Sequence, residues 1–147
     1  MRNTLGIALA VLAFAGGPAL GAGMSKQDYQ AAKKRIAAEY QAERQKCGAR
    51  HGNAFDLCFA HALGARDVAK AELEAAYKPS PRTNYDAAIA RAKAAYAVAK
   101  EKCDDERGAE KKACIKDAKD SLERARAEAK SAMAAARAEE AAKPPGR

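Results

Sequence analysis

The chain has 147 residues, of which 41 are alanine, and its formal net charge is +8. Because each alanine buries little surface, this composition excludes a thick globular core, while abundant Ala, Lys, Glu and Arg favour long helices with thin apolar seams. After the N-terminal region, no stretch approaches the roughly 18 consecutive apolar residues of a transmembrane helix.

Residues 1–23 have the pattern of a secretory signal peptide. Arg2 supplies a positive start, residues 5–14 form an apolar run that is too short to span a membrane, and small residues follow. Ala19 and Gly21 fit the small-x-small rule for cleavage after Gly21. We therefore expect export and removal of this segment. A retained membrane anchor, and an internal start that leaves a cytosolic protein, are the alternatives.

Residues 24–78 are predicted to form a helix, a turn and a second helix. Ser25 can cap the first helix, with Asp28 in a capping-box-like arrangement. Gly52 marks the turn, and Asn53 can cap the second helix. At helical spacing, the seam of the first helix is Tyr29, Ile36, Tyr40 and Cys47. The predicted seam of the second is Phe55, Cys58 or Phe59, Ala62, Ala65, Ala69, Leu73, and Ala76 or Tyr77.

Residues 79–83 are predicted to be a linker, because proline lacks the amide proton and disfavours helix in the residue before it. A second hairpin follows over residues 84–142, with Thr83 or Asn84 as its N-cap. Its predicted seams are Tyr85, Ile89, Ala92, Tyr96 and Cys103, then Cys114, Ala118, Leu122, Ala125, Ala129 and Met133. The last turns have little to bury and are expected to fray or project. Residues 143–147 are expected to form a disordered tail.

The two hairpins are predicted to be tandem copies of one repeat. Tyr29, Tyr40, Cys47, Gly52 and Cys58 recur 56 positions later as Tyr85, Tyr96, Cys103, Gly108 and Cys114. Identical internal spacings are hard to obtain by chance. The expected fold class is therefore all-α, with two tandem antiparallel helical hairpins and coiled-coil-like seams. The hairpins are either packed together as a four-helix bundle or held as two semi-independent units.

Four cysteines in an exported chain predict two disulfides, for which three pairings exist. The repeat selects Cys47–Cys58 and Cys103–Cys114, because the two members of each pair would face each other across the closed end of one hairpin. An isolated alanine-rich hairpin is marginal, and each disulfide should stabilise one by about 3 kcal/mol in the chain-entropy model.

A zinc site is the alternative use of the first cysteine pair. Cys47, His51, Cys58 and His61 have a C-x3-H-x6-C-x2-H spacing and are four potential zinc ligands. The equivalent residues of the second repeat are Cys103, Arg107, Cys114 and Asp117. The two copies thus share the cysteines alone, and export favours oxidation over thiolate coordination. We therefore predict no metal and no other cofactor.

The remaining polar and aromatic residues are predicted to be structural. The repeated tyrosines fill the hairpin seams: Tyr29, Tyr40, Tyr85 and Tyr96. Basic residues are interleaved with acidic residues three or four positions away, which is typical of solvated helix surfaces, and no nucleic-acid motif occurs. The sequence also has no glycine-rich phosphate loop, no nucleophile with a plausible base and no secluded carboxylate pair, so we do not expect an enzyme.

Four segments resemble parts of other proteins: residues 24–29, 52–54, 69–82 and 103–105. The third of them ends in Lys-Pro-Ser-Pro-Arg. They are similar to those of a group of small exported Ala/Lys/Glu-rich helical proteins of Gram-negative bacteria, sometimes labelled cell-envelope or TolA-like. The resemblance implies an envelope protein, and it supplies no active site.

These features predict a non-enzymatic periplasmic protein with a structural or protein-interaction role. Its expected partner is another envelope protein, and its oligomeric state is left open. The first alternative is a stress-type binding module or holdase chaperone that covers apolar clients with its alanine and tyrosine seams. The second is an electrostatic binder of anionic envelope polymer or lipid, whose binding would weaken as salt rises.

Overall fold

The computed structural model describes residues 23–143. The predicted signal peptide lies outside the described residues except for Gly23, and the predicted tail does so except for Lys143. The described chain forms α1 (Lys26–Cys47), α2 (Asn53–Tyr77), α3 (Pro81–Lys102), a 3-10 turn (Cys103–Asp105) and α4 (Gly108–Ala142), without a strand. The predicted all-α fold is confirmed. None of these helices is long and apolar enough to cross a membrane.

The helices form an open row. Extensive contacts join α1 to α2, α2 to α3 and α3 to α4, and the α2–α3 contact is the largest of the three. The two hairpins therefore pack against each other. Between α1 and α4 the described residues make no comparable contact, so the row does not close into a ring. Both hairpin turns lie at one end, where Asn53 Nδ2 donates a 2.7 Å hydrogen bond to Asp105 Oδ1.

Local capping chemistry sets where α1 and α2 begin. Ser25 is the N-cap of α1 as predicted, because its hydroxyl oxygen accepts a hydrogen bond from the amide of Asp28 at 3.0 Å. The predicted cap at Asn53 is wrong, since the N-cap of α2 is Gly52, without a side-chain cap hydrogen bond. Asn53 lies inside the helix, and its side-chain amide reaches the second hairpin instead.

The third helix begins earlier than the sequence predicted. Its N-cap is Ser80 rather than Thr83 or Asn84. The amide of Thr83 donates to Ser80 Oγ, and the amide of Ser80 donates to Thr83 Oγ1, each at 3.0 Å. Pro81 suits the first helical position, where its missing amide proton would have no partner within the helix. The segment between α2 and α3 is therefore residues 78–80, instead of the predicted linker over residues 79–83.

The two predicted disulfides are confirmed, Cys47–Cys58 and Cys103–Cys114. The Cα atoms are 5.6 Å apart in both pairs, and the side chains of Cys47 and Cys103 are completely buried. Gly52, the N-cap of α2, and Gly108, the first residue of α4, are equivalent in the repeat, and their φ angles are 57° and 56°. This left-handed conformation favours glycine, so both returning helices begin at a glycine that the backbone requires.

The core of the first hairpin lies beyond its disulfide. Tyr29, Ile36 and Leu73 form a buried cluster. Tyr77 stacks on Tyr29 with ring centroids 4.2 Å apart, and the Tyr29 hydroxyl donates a hydrogen bond to Glu74, which raises the pKa of Tyr29. A disulfide at the closed end and an aromatic stack at the open end thus hold α1 against α2.

The predicted seam of α4 agrees with the burial, but those of α2 and α3 are incomplete. Buried residues of α4 are Ala118, Leu122 and Ala129. In α2, Ala65 is exposed instead of buried, Phe55 is 38% exposed, and of the alternatives Ala76 and Tyr77 it is Tyr77 that packs on the core. In α3, Ala87 is buried although it lies outside the predicted seam. A single stripe fails here because α2 and α3 each contact a helix on two sides.

Gly64 marks the closest approach of α2 and α3. It is buried, and a Cβ atom added to it would lie 2.9 Å from the Cβ of Ala94, which is closer than unbonded carbon atoms approach. Further along the same interface, Arg91 of α3 pairs with Glu72 of α2. Contact between the two hairpins therefore depends on the absence of a side chain at residue 64.

Replacing Cys103 and Cys114 together by alanine should lower the free energy of unfolding by about 3 kcal/mol. The reason is that the unfolded chain, no longer closed into a loop, gains conformational entropy. Urea denaturation followed by circular dichroism measures the change. Ser131→Ala, at an exposed site of α4, is the control and should leave the midpoint unchanged. Equal midpoints for the wild type and the cysteine variant would contradict the expectation.

Gly64→Leu should destabilise the protein by about 1–3 kcal/mol through overpacking, although leucine favours helix more than glycine does. Ala65→Leu, at the exposed neighbouring position, is the matched control and should change the stability little. Thermal unfolding of both variants measures the difference. A Gly64→Leu variant as stable as its control would show that α2 and α3 are not closely packed.

Candidate functional site

A groove between α2 and α3 is lined by three large apolar side chains. Its volume is about 690 Å³, and Phe59, Leu63 and Ile89 form its floor together with alanines. All three side chains are partly buried. The groove is open to solvent along its length, so it is a surface for docking rather than an enclosed cavity.

Carboxylates surround this apolar floor. Four acidic residues line the groove, Asp56, Asp67, Asp86 and Glu101, whereas Lys93 is its single basic lining residue. The lining therefore carries a formal charge of −3, on a chain whose net charge is +8.

Three basic residues pair with rim carboxylates but do not line the groove. Lys100 Nζ lies 3.3 Å from Glu101 Oε1, and the other two are arginines. Arg66 contacts Asp67 at 2.6 Å, and its guanidinium lies over the ring of Tyr40 at 4.7 Å. Arg82 contacts Asp86 at 3.0 Å and lies 5.7 Å from the ring centroid of Tyr85. Cation–π contacts of this kind hold the positive charges over tyrosine rings outside the groove lining.

Phe55 extends the apolar surface toward the closed ends of the hairpins. Its ring stacks on that of Phe59 with centroids 6.1 Å apart, yet 38% of the residue is exposed. Phe55 therefore widens the apolar surface beside the groove.

A second groove lies between α3 and α4, with a volume of about 750 Å³. Alanines, Tyr96 and Leu122 line it, and its charged lining residues are Glu106, Glu110 and Asp117.

The two repeats differ where the second groove opens. Ala92 and Ala113 line it, whereas the equivalent residues of the first hairpin are Ile36 and Leu57. Ile36 is buried and Leu57 is partly buried. The small residues of the second copy therefore leave space that side chains occupy in the first.

The predicted seam tyrosines are all covered to some extent. Tyr29 is buried, and Tyr40, Tyr85 and Tyr96 are partly buried. Tyr96 also lines the second groove, so it serves both the seam and an accessible surface.

The residues of the alternative zinc site do not form a ligand set in this structure. The Sγ atoms of Cys47 and Cys58 are bonded to each other, and a disulfide provides no thiolate ligand. His51 and His61 are both exposed. Over residues 23–143 no group of three or more His, Cys, Asp or Glu side chains is placed to hold a metal ion.

The α2–α3 groove was not predicted from the sequence. Phe59 was one possible seam residue of the first hairpin and Ile89 belonged to the predicted seam of the second, and periodicity within each hairpin does not join them into one surface. A comparison between the repeats contains the signal: Leu63 and Ile89 are equivalent to Lys119 and Lys33. Apolar residues thus occur on the inner helices where the outer helices have charges.

Charged residues at the closed end are paired at the surface. Lys111 Nζ lies 2.7 Å from Asp104 Oδ1, and its hydrogen bond holds the pKa of Asp104 below the usual range. Lys116 likewise lowers the pKa of Asp120 through a hydrogen bond. The part of the chain that the structure describes contains no buried charged side chain. Its carboxylates therefore lie in solvated surroundings.

Lys111→Met should return the pKa of Asp104 toward the ordinary aspartate value, while Asp120, whose partner is Lys116, keeps its lowered pKa. An NMR pH titration of the side-chain carboxyl signals measures both. Because the folded-state pKa of Asp104 is lowered, its ion pair stabilises the fold above the ordinary aspartate pKa. This contribution is lost as pH falls through the lowered value. An unchanged titration of Asp104 in the variant would contradict the assigned pair.

Comparisons with known proteins do not assign the chain to a class. It matches no family model, and no curated protein or solved structure is significantly similar to it. The resemblance to exported Ala/Lys/Glu-rich proteins stays a prediction from the sequence, and the functional argument rests on the site itself.

Proposed function

We propose that this protein is a non-enzymatic, periplasmic interaction protein that presents a rigid helical surface to another protein of the cell envelope. The observation that carries the proposal is the α2–α3 groove, with its open apolar floor and the exposed Phe55 beside it. Open apolar grooves between helices are a common seat for a partner helix.

The compartment follows in part from the cysteines. Two disulfides indicate an oxidising, non-cytoplasmic environment, because cytosolic thiols are kept reduced. The signal-peptide pattern of residues 1–23 supports the finer assignment to the periplasm of a Gram-negative cell.

Duplication of one hairpin explains how the α2–α3 groove arises. The 56-residue spacing, the two disulfides with equal Cα separations and the matched φ angles of Gly52 and Gly108 support a tandem repeat. Packing the second copy on the first places α2 beside α3 and creates a groove that one hairpin alone does not have.

Photo-crosslinking in intact cells tests the proposed function. A photoreactive amino acid is placed at Lys93 in the α2–α3 groove, at Ser121 in the α3–α4 groove and at the exposed Ala134 of α4. We expect irradiation to give a discrete adduct with one envelope protein, identified by mass spectrometry. The Ala134 variant is the control for random collisions.

The pattern of adducts distinguishes the functional alternatives. A broad distribution of many unrelated partners would favour the holdase alternative, because a holdase binds clients of different sequences. Uncrosslinked monomer at every position, in cells that contain the mature protein at its normal level, would contradict an interaction role.

A further inference from the structure

The α2–α3 groove has the shape of a seat for a third helix. Its lining residues on α2 are Asp56, Phe59, Ala60, Leu63, Gly64 and Asp67, which follow the three- and four-residue spacing of one helix ridge. On α3 the same spacing runs through Asp86, Ile89, Ala90, Lys93, Ala94 and Ala97. The two antiparallel ridges thus bound a straight trough, the form in which helix-in-groove recognition occurs.

The trough accommodates about three helical turns. From Asp56 to Asp67 the ridge of α2 rises by 11 residue steps, which corresponds to about 16 Å at ~1.5 Å per residue. A helix lying along it would place apolar residues at i, i+3 or i+4, and i+7 against Phe59, Leu63 and Ile89.

The charge of the rim selects the sign of the partner. The groove lining is formally −3, and the basic residues that pair with three of its carboxylates, Arg66, Arg82 and Lys100, lie outside that lining. Asp56, at one end of the rim, makes no ion pair within the described chain. A helix with basic residues flanking its apolar stripe would complement this rim.

We propose that the α2–α3 groove binds a basic amphipathic helix of the partner protein, with its apolar stripe on Phe59, Leu63 and Ile89 and its basic residues against the rim carboxylates. The inference rests on the proposed interaction function and names the partner's chemistry. The proposed preference is opposite to the one expected from net charge alone, because the chain as a whole is basic and would repel a basic peptide.

Binding of two designed peptides to the purified, disulfide-bonded protein tests this inference. Both are fluorescent amphipathic helices of about 18 residues, or five turns, with an identical leucine stripe. One carries lysine on its polar face and the other glutamate. At low salt the lysine peptide should bind more tightly, whereas attraction to the net charge alone would favour the glutamate peptide. A preference for the glutamate peptide would overturn the proposal.

Variants locate the binding. Asp56→Asn combined with Asp86→Asn should weaken binding of the lysine peptide about five-fold, since exposed charge pairs contribute modestly. Phe59→Ala should weaken it about ten-fold, as loss of an aromatic anchor does. Glu106→Gln combined with Glu110→Gln at the second groove makes the same change in net charge and should leave the affinity within about two-fold of the wild type.

The assignment to this groove would be overturned if the two double substitutions weakened binding of the lysine peptide equally. It would also be overturned if Phe59→Ala left the affinity unchanged while its circular dichroism matched that of the wild type. Concentration-dependent dimerisation that these groove substitutions abolish would identify a second copy as the occupant and would also overturn it. The outcome is separable from that of the cellular crosslinking. Partner adducts at Ser121 without adducts at Lys93 would preserve the interaction function and remove this groove as its site.

Discussion

The disulfide at the neck of each hairpin is the constraint on which the rest of the structure depends. Alanine seams bury little area, and the large buried aliphatic side chains of the described chain are just Ile36, Leu73 and Leu122. The two completely buried side chains are Cys47 and Cys103, one from each disulfide. By joining adjacent helix ends covalently, the disulfides fix the pairing and register of the helices, so a thin seam is sufficient to hold them together.

Once each hairpin is fixed, the difference between the copies determines how they assemble. Inner-face residues Leu63, Gly64 and Ile89 have Lys119, Asp120 and Lys33 as their equivalents on the outer helices. Apolar or absent side chains thus occur where α2 meets α3, and charged ones occur where α4 and α1 face solvent. Repeat proteins use polar end units in the same way, because an apolar outer face would recruit further copies. This asymmetry explains why the groove lined by Phe59, Leu63 and Ile89 lies between the two hairpins.

Much of this fold could be predicted because its signals are local. Cysteine spacing, helix-favouring composition and the seam of α4 depend on residues within one hairpin, and the structure agrees with them. Two kinds of feature were wrong or missed. The α3 start at Pro81 depends on a capping box between Ser80 and Thr83 that competes with the usual effect of proline as a helix breaker. Gly64 and the groove depend on contact between the hairpins, which periodicity within one helix does not reveal.

The account therefore connects oxidation, architecture and recognition in one order: disulfides fix two hairpins, the hairpins pack through α2 and α3, and that contact creates an acidic-rimmed apolar groove. Its central claim is tested most directly by peptide mapping, under non-reducing conditions, of protein taken from its native compartment with free thiols blocked at lysis. The account predicts linked peptides containing Cys47 with Cys58 and Cys103 with Cys114. Blocked free cysteines, or a link between Cys47 and Cys103, would contradict it.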